Sequence, residues 1–143
     1  DLPEKVQAIL AEQHSTVMET LGVEVWTVNE EEIRLRMMIS PKVRQPAGLL
    51  HGGISMFLAE TAASFHSVFL VDLTEMLPVG LEINGSHLAS AAEGMVEAVG
   101  RVLKRGRSLI VHEVDIVHLD SEKLLTKARV TNYLKRVNHA RPG

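Results

Sequence analysis

The chain has 143 residues, 45 % hydrophobic and 23 % charged, which is enough apolar material for one domain with a sizeable core and too much for disorder. A net charge of -3 and 3 % aromatic residues argue against a nucleic-acid partner, because both a cationic surface and stacking platforms are lacking. The absence of cysteine excludes disulfides, thiolate nucleophiles and zinc ribbons, and no uninterrupted apolar run reaches the roughly 18 residues of a membrane span, so a cytoplasmic protein without membrane association is expected.

In chain order, Pro3 and Glu4 suit the first turn of a helix, and Val6, Ile9, Leu10 and Val17 recur at helical spacing until Gly22, so an amphipathic opening helix is expected over 1–21. "GVEVWTV" and "EIRLRMMIS" read as a hairpin, since Ile33, Leu35, Met37 and Ile39 alternate with Arg34, Arg36 and Met38 around a turn at "NEEE". Residues 41–48 read as a loop, and Gly52 to about Val71 as a helix apolar enough on all sides to form the buried centre. Four further strands follow, in "LPVGLEINGSHL", "GMVEAVGRVLKRG", "RSLIVHEVDIVHLD" and "KLLTKARVTNYLKR". They are adjacent and long, which favours an antiparallel meander, with residues 135–143 as a loose tail. The fold class is α+β, one domain over 1–143 with a curved antiparallel sheet around one long central helix.

The central helix carries one carboxylate, Glu60, in an otherwise uncharged apolar stretch. Gly52, Met56, Glu60 and Ser64 stand four apart and share a face, so the carboxylate lies on the row that begins at the helix start. There the unpaired N–H groups and the positive end of the helix dipole can polarise a carbonyl oxygen, and two glycines allow it to approach the main chain. Burying an unpaired carboxylate costs several kcal/mol, so Glu60 either reaches solvent, pairs with a buried arginine, or serves chemistry. Gln45, His51 and Ser64 each have an ordinary structural reading, as a loop amide, a cap histidine and a helix serine bonded to backbone, but they cluster around this glycine-rich start.

Other chemistries fit less well. "HGG" resembles a lipase oxyanion loop, but no G-x-S-x-G elbow accompanies it. His14, His66, His87, His112, His118 and His139 show no metal-ligand spacing, so neither a metal nor another cofactor is expected. His112 reads as a satisfied sheet histidine, and "LKRGRS" as a hairpin turn with solvated cations.

"LLHGGISMFLAETAAS", "VGLEINGSHLASAAEG" and "GRSLIVHEVDI" followed by "LLTKARVTNYL" resemble the hotdog-fold acyl-CoA thioesterases. The resemblance is to the branch that includes phenylacetyl-CoA, 4-hydroxybenzoyl-CoA and 1,4-dihydroxy-2-naphthoyl-CoA thioesterases. The resemblance implies hydrolysis of an acyl-CoA with an aromatic or medium-chain acyl group. Glu60 would be nucleophile or general base, the Gly52 N–H the oxyanion donor, His51 and Gln45 the groups that orient thioester, water or leaving thiolate, and Ser64 a hydroxyl that positions water. It also implies that Asn84, His87 and the turn Gly106, Arg107, Ser108 lie near the coenzyme A nucleotide, although the basic residue usual after the histidine is replaced by Ala89. Met56, Phe57, Phe65 and Val68 are candidates to line the acyl pocket. The family assembles as homodimers, often dimers of dimers, with the site between subunits. Gly52 and Glu60 of one chain, about two turns apart, are too far from each other to touch one carbonyl. A non-catalytic acyl-CoA-binding protein and an acyl-CoA dehydratase or hydratase are the alternatives. The second lacks its HFPG-like and D-x-x-x-x-H motifs here.

Overall fold

The structure, a computed structural model, describes residues 2–12 and 16–137. Its elements are α1 (Glu4–Glu12), α2 (Thr16–Leu21), β1 (Glu24–Val28), β2 (Glu32–Met38), a short 3-10 turn (Pro41–Val43) and α3 (Gly52–Leu70). After these come β3 (Met76–His87), β4 (Met95–Arg105), β5 (Leu109–His118) and β6 (Lys123–Arg136). The described parts of the expected opening helix are helical, and its residues 13–15, like the part of the expected tail beyond residue 137, lie outside the described residues. Lys135 and Arg136, expected in the tail, instead end β6, held by pairing with Leu77 and Met76 of β3.

All six strands form one antiparallel sheet in the order β1-β2-β4-β5-β6-β3. The meander expectation holds for β4, β5 and β6 but fails for β3, which sits at the far edge against β6. The reason is α3. After β2 it crosses the inner face and delivers the chain to the opposite side, and the last three strands then fill the gap.

Ile33, Leu35 and Met37 of β2, Val96 and Ala98 of β4, and Ile110, Val114 and Ile116 of β5 are buried on the inner face, as their alternation dictates. Leu58, Ala59, Ala62 and Ala63 of α3 are buried against them, and the alanines let the helix axis lie close to the sheet. By length and composition α3 could also cross a membrane. Its contacts with β2 to β6 make it the core helix of this sheet.

Cations cap the carboxyl end of α3. Lys5 Nζ of α1 donates to Phe69 O at 2.7 Å and Val71 O at 2.6 Å, and Arg105 Nη2 of β4 donates to Leu70 O at 2.5 Å. These bonds satisfy carbonyls that a helix end leaves open and tie α1 to α3. On the outer face the Glu97 carboxylate, withdrawn from solvent, takes Arg34 and Arg36 at 2.7 Å each, and Arg36 stacks 4.1 Å from the centre of the Trp26 ring. Hydrogen bonds to Glu32 and Glu97 hold the Arg34 pKa above its ordinary value.

A second buried polar unit joins α3 to β5. His66 Nε2 lies 2.7 Å from Asn29 O, and His66 Nδ1 lies 2.7 Å from His112 Nε2. A carbonyl only accepts, so His66 Nε2 carries the proton, its Nδ1 accepts, and His112 Nε2 donates. His112 Nδ1 is then an acceptor without a partner among the described residues, so the ring is satisfied on one side only. Burial lowers both pKa values, that of His112 to about 3 with a further contribution from His66, and the bond to Asn29 O partly offsets the shift at His66. The unfolded chain takes protons on these rings below about 6.5, whereas the fold holds them neutral. Their contribution to stability is therefore complete above that pH and drains away as pH falls toward about 3. Chemical unfolding at pH of about 7.5 and about 5 should show the wild type losing stability on acidification and a His66→Leu, His112→Leu double variant losing less. An equal loss in both would remove this pair from the acid response.

Candidate active site

The amino end of α3 is built by its own cap. His51 is the N-cap residue, and its Nδ1 accepts from Gly53 N–H at 2.8 Å, so its other nitrogen, Nε2, carries the ring proton. Ile54 and Ser55 N–H both reach His51 O. Of the first-turn amides, that leaves Gly52 N–H without a partner among the described residues. Gln45 Oε1 accepts from Ala47 N–H, which turns the amide so that its NH₂ remains free to donate.

A pocket of about 220 Å³ collects Gln45, Gly52, Ser55, His87, Ser90 and Thr126 at this end. Thr126 Oγ1 holds His87 Nδ1 at 2.8 Å, and His87 Nε2 stands 2.8 Å from where a Gly52 Cβ would be. Only glycine leaves room for that ring over the helix start.

Glu60 and Ser64 open on a different pocket, of about 520 Å³. Phe57, Phe65 and Val68 of α3 line it together with Ile9, Leu10, Met18 and Val23 from the amino-terminal segment. Glu60 is exposed in the single chain, the solvent-reaching alternative of the sequence reading, because the face of α3 that carries it points away from the sheet interior. Its Oε2 lies over β3, 2.7 Å from where a Gly80 Cβ would be. Ser64 Oγ accepts from Asn132 Nδ2 at 3.2 Å.

The remaining expected residues stand apart from both pockets. His51 is exposed at the cap. Met56 packs its sulfur over Gly85, 3.1 Å from the position of a Cβ there, and is not in the larger pocket with Phe57, Phe65 and Val68. Asn84 donates from its exposed side chain to Glu82 Oε1 at 2.6 Å. Gly106, Arg107 and Ser108 form the β4–β5 turn, where Gly106 N–H reaches Leu109 O and Ser108 O receives Leu134 N–H, at 2.8 Å each. That turn lies beyond the Gly80 end of β3, far from His87.

A profile of the thioesterase superfamily matches residues 47–125, more than half of the chain. The chain belongs to that superfamily. A 1,4-dihydroxy-2-naphthoyl-CoA hydrolase of Listeria monocytogenes is 38 % identical over 120 residues, covering 84 % of this chain and 96 % of the relative. The proofreading thioesterase EntH of Cronobacter turicensis is 33 % identical, covering 78 % and 80 %. Among solved structures, a mutant thioesterase of Pseudomonas aeruginosa superposes with a TM-score of 0.84 at 30 % identity, covering 94 % of each chain. The six-stranded sheet around α3 is thus the hotdog fold, and this superfamily member is a thioester hydrolase.

Gly80, Thr126, Asn132 and the wall formed by α1 and α2 escaped the sequence reading. Two of them carried a signal there. Gly80 is a glycine inside a strand, which marks a close approach, and Asn132 stands at an inward position between Val130 and Leu134. The clash at Gly80 would be with the tip of a flexible side chain, which can move at little energetic cost. Gly80→Ala should therefore keep near-wild-type thermal stability while thioester hydrolysis falls on the order of 10²-fold through a displaced Glu60 carboxylate. Unchanged turnover would show that the position of Glu60 over β3 is immaterial.

Proposed function

We propose that this superfamily member hydrolyses an acyl-coenzyme A, with an aromatic or medium-chain acyl group in the Phe57, Phe65 and Val68 pocket, at a site shared by two copies of the chain. The observation that carries this is the split just described. The free Gly52 amide and the Glu60 carboxylate open on separate pockets of one chain, ~12 Å apart along α3 at 1.5 Å per residue. A carbonyl carbon within reach of both needs a second subunit.

The edge of the sheet supports that assembly. β1, at one edge, is five residues long, whereas β3, at the other, is twelve residues long and exposes Leu77, Val79 and Leu81; each carries one irregularity, that of β3 a bulge at Leu81 between Gly80 and Glu82. An unpaired edge of that kind pairs readily with another strand. On β3, Gly80 pairs with Asn132 and His87 with Thr126, so the Glu60 end and the Gly52 end lie six ladder steps apart, or ~20 Å. Antiparallel pairing of β3 with its copy, centred on Asn84, puts Gly80 of one subunit opposite His87 of the other. The carboxylate then meets the partner's helix start. The same pairing carries the turn Gly106–Ser108 toward Ala89 and Ser90 across the interface, where Arg107 can serve the phosphates that Ala89 cannot.

In this reading Glu60 takes a proton from water while the water oxygen bonds to the thioester carbon, and the carbonyl oxygen becomes an oxyanion held by Gly52 N–H across the interface. Collapse breaks the carbon–sulfur bond, and the leaving thiolate accepts hydrogen bonds from Gln45 Nε2–H and His51 Nε2–H and takes the proton that Glu60 gained from the water, which restores the carboxylate. One such oxyanion donor is worth ~10²–10³ in rate. The Listeria relative, a hydrolase of an aromatic acyl-CoA, supports the aromatic option.

Thiol release measured over aromatic, naphthoyl and straight-chain acyl-CoAs should rank the aromatic and medium-chain esters first, and Glu60→Gln should lose at least ~10²-fold in kcat with KM little changed. Near-wild-type turnover by Glu60→Gln would sink the assignment. The pairing register has its own check, since the chain contains no cysteine. Asn84→Cys should form an intersubunit disulfide under mild oxidation, because the two copies would face each other at about 4.5–5.5 Å between Cα atoms. Leu77→Cys, far from its own copy in that register, should not cross-link. The reverse pattern would place the dimer axis elsewhere.

A further inference from the structure

Ser64 shares its pocket with Glu60, one helical turn back. What its hydroxyl does depends on residues behind it. Asn132, fully buried on the inner face of β6, donates from Nδ2 to Ser64 Oγ at 3.2 Å, while its Oδ1 accepts from the fully buried Ser67 hydroxyl at 2.8 Å. Ser67 has one proton to give, and giving it to Oδ1 turns the amide so that its NH₂ faces Ser64. Ser64 Oγ therefore receives a hydrogen bond on its inner side. Its own proton finds no acceptor among the described residues, not even the Glu60 carbonyl that commonly takes the proton of a helix serine. The open direction is the pocket.

We infer that Asn132, oriented by Ser67, is a positioning residue that makes Ser64 a hydrogen-bond donor to the attacking water. This rests on the proposed role of Glu60. The water then gives one proton to Glu60, receives one hydrogen bond from Ser64, and keeps its second lone pair for the thioester carbon. Hydrolysis needs that orientation, and neither Glu60 nor Ser64 supplies it unless the serine proton is kept out of the helix backbone.

The test is a double-mutant cycle on the full-length protein. Ser67→Ala, which frees the amide to turn over, should lower kcat roughly tenfold, the worth of about one hydrogen bond, with KM unchanged. Asn132→Asp, which offers Ser64 an acceptor and draws its proton inward, should do at least as much. In a Ser64→Ala background neither change should lower kcat further. Equal losses with and without the Ser64 hydroxyl would assign Asn132 and Ser67 to core packing and overturn the inference. So would a folded Ser67→Ala protein with wild-type kcat, which remains decisive if Asn132→Asp does not fold. Glu60→Gln run alongside separates the two layers. If it is inert while Ser67→Ala is fully active, only the positioning role fails. If Glu60→Gln is itself active, the water-activation reading beneath it fails.

Discussion

The contact between α3 and the inner sheet face determines almost everything else. Ala59, Ala62 and Ala63 are fully buried there, and side chains this small leave no slack between helix and strands. With that face committed, the helix has no rotational freedom, and the opposite face, with Phe57, Glu60, Ser64 and Val68, must look outward. A larger side chain at any of the three alanines would push the helix off the sheet. It would also carry Glu60 away from Gly80 and Ser64 away from Asn132, so packing and the geometry of the pocket are coupled through one interface.

The two ends of α3 are treated differently, and the difference has an electrostatic logic. At the carboxyl end, Lys5 and Arg105 occupy the last carbonyls, so the negative end of the dipole is neutralised. At the amino end, His51 satisfies three amides through one ring nitrogen and one carbonyl, and Gly52 N–H stays open. One amide left open at the positive end of a rigid helix is a preorganised place for negative charge to develop. Because Lys5 belongs to α1, the same capping also anchors the segment whose Ile9 and Leu10 wall the larger pocket.

Much of this was legible in the sequence, and the parts that were not share a cause. The element order, the central helix and the Gly52–Ser64 row followed from periodicities of two and four residues, which are local. The place of β3 at the edge did not, because strand order depends on where a nineteen-residue helix lands after crossing the sheet, which adjacency in sequence does not encode. The wall made by α1 and α2 was hidden for a similar reason: Ile9 and Leu10 read as one apolar helix face whatever they cover. His112 alternated correctly and proved buried, but its pairing with His66 links residues 46 positions apart. Asn132 broke an apolar alternation, yet only the fold shows that Ser64 and Ser67 stand on either side of it.

The carboxylate in an apolar run illustrates the limit most clearly. An apolar helix with a single acidic residue suggests burial, and burial of a charge calls for compensation. In the single chain no such compensation is needed, because Glu60 is exposed beside an open pocket and a glycine-lined strand. The apolar residues around it are therefore of two kinds. Leu58, Ala59, Ala62 and Ala63 serve the chain's own core, while Phe57, Phe65 and Val68 remain partly exposed around the pocket. A contiguous group of large apolar side chains left partly exposed marks a place suited to binding another apolar group. The same helix thus has the composition of a core element because nearly all of its circumference is used, one side by the fold and the other by whatever occupies the pocket.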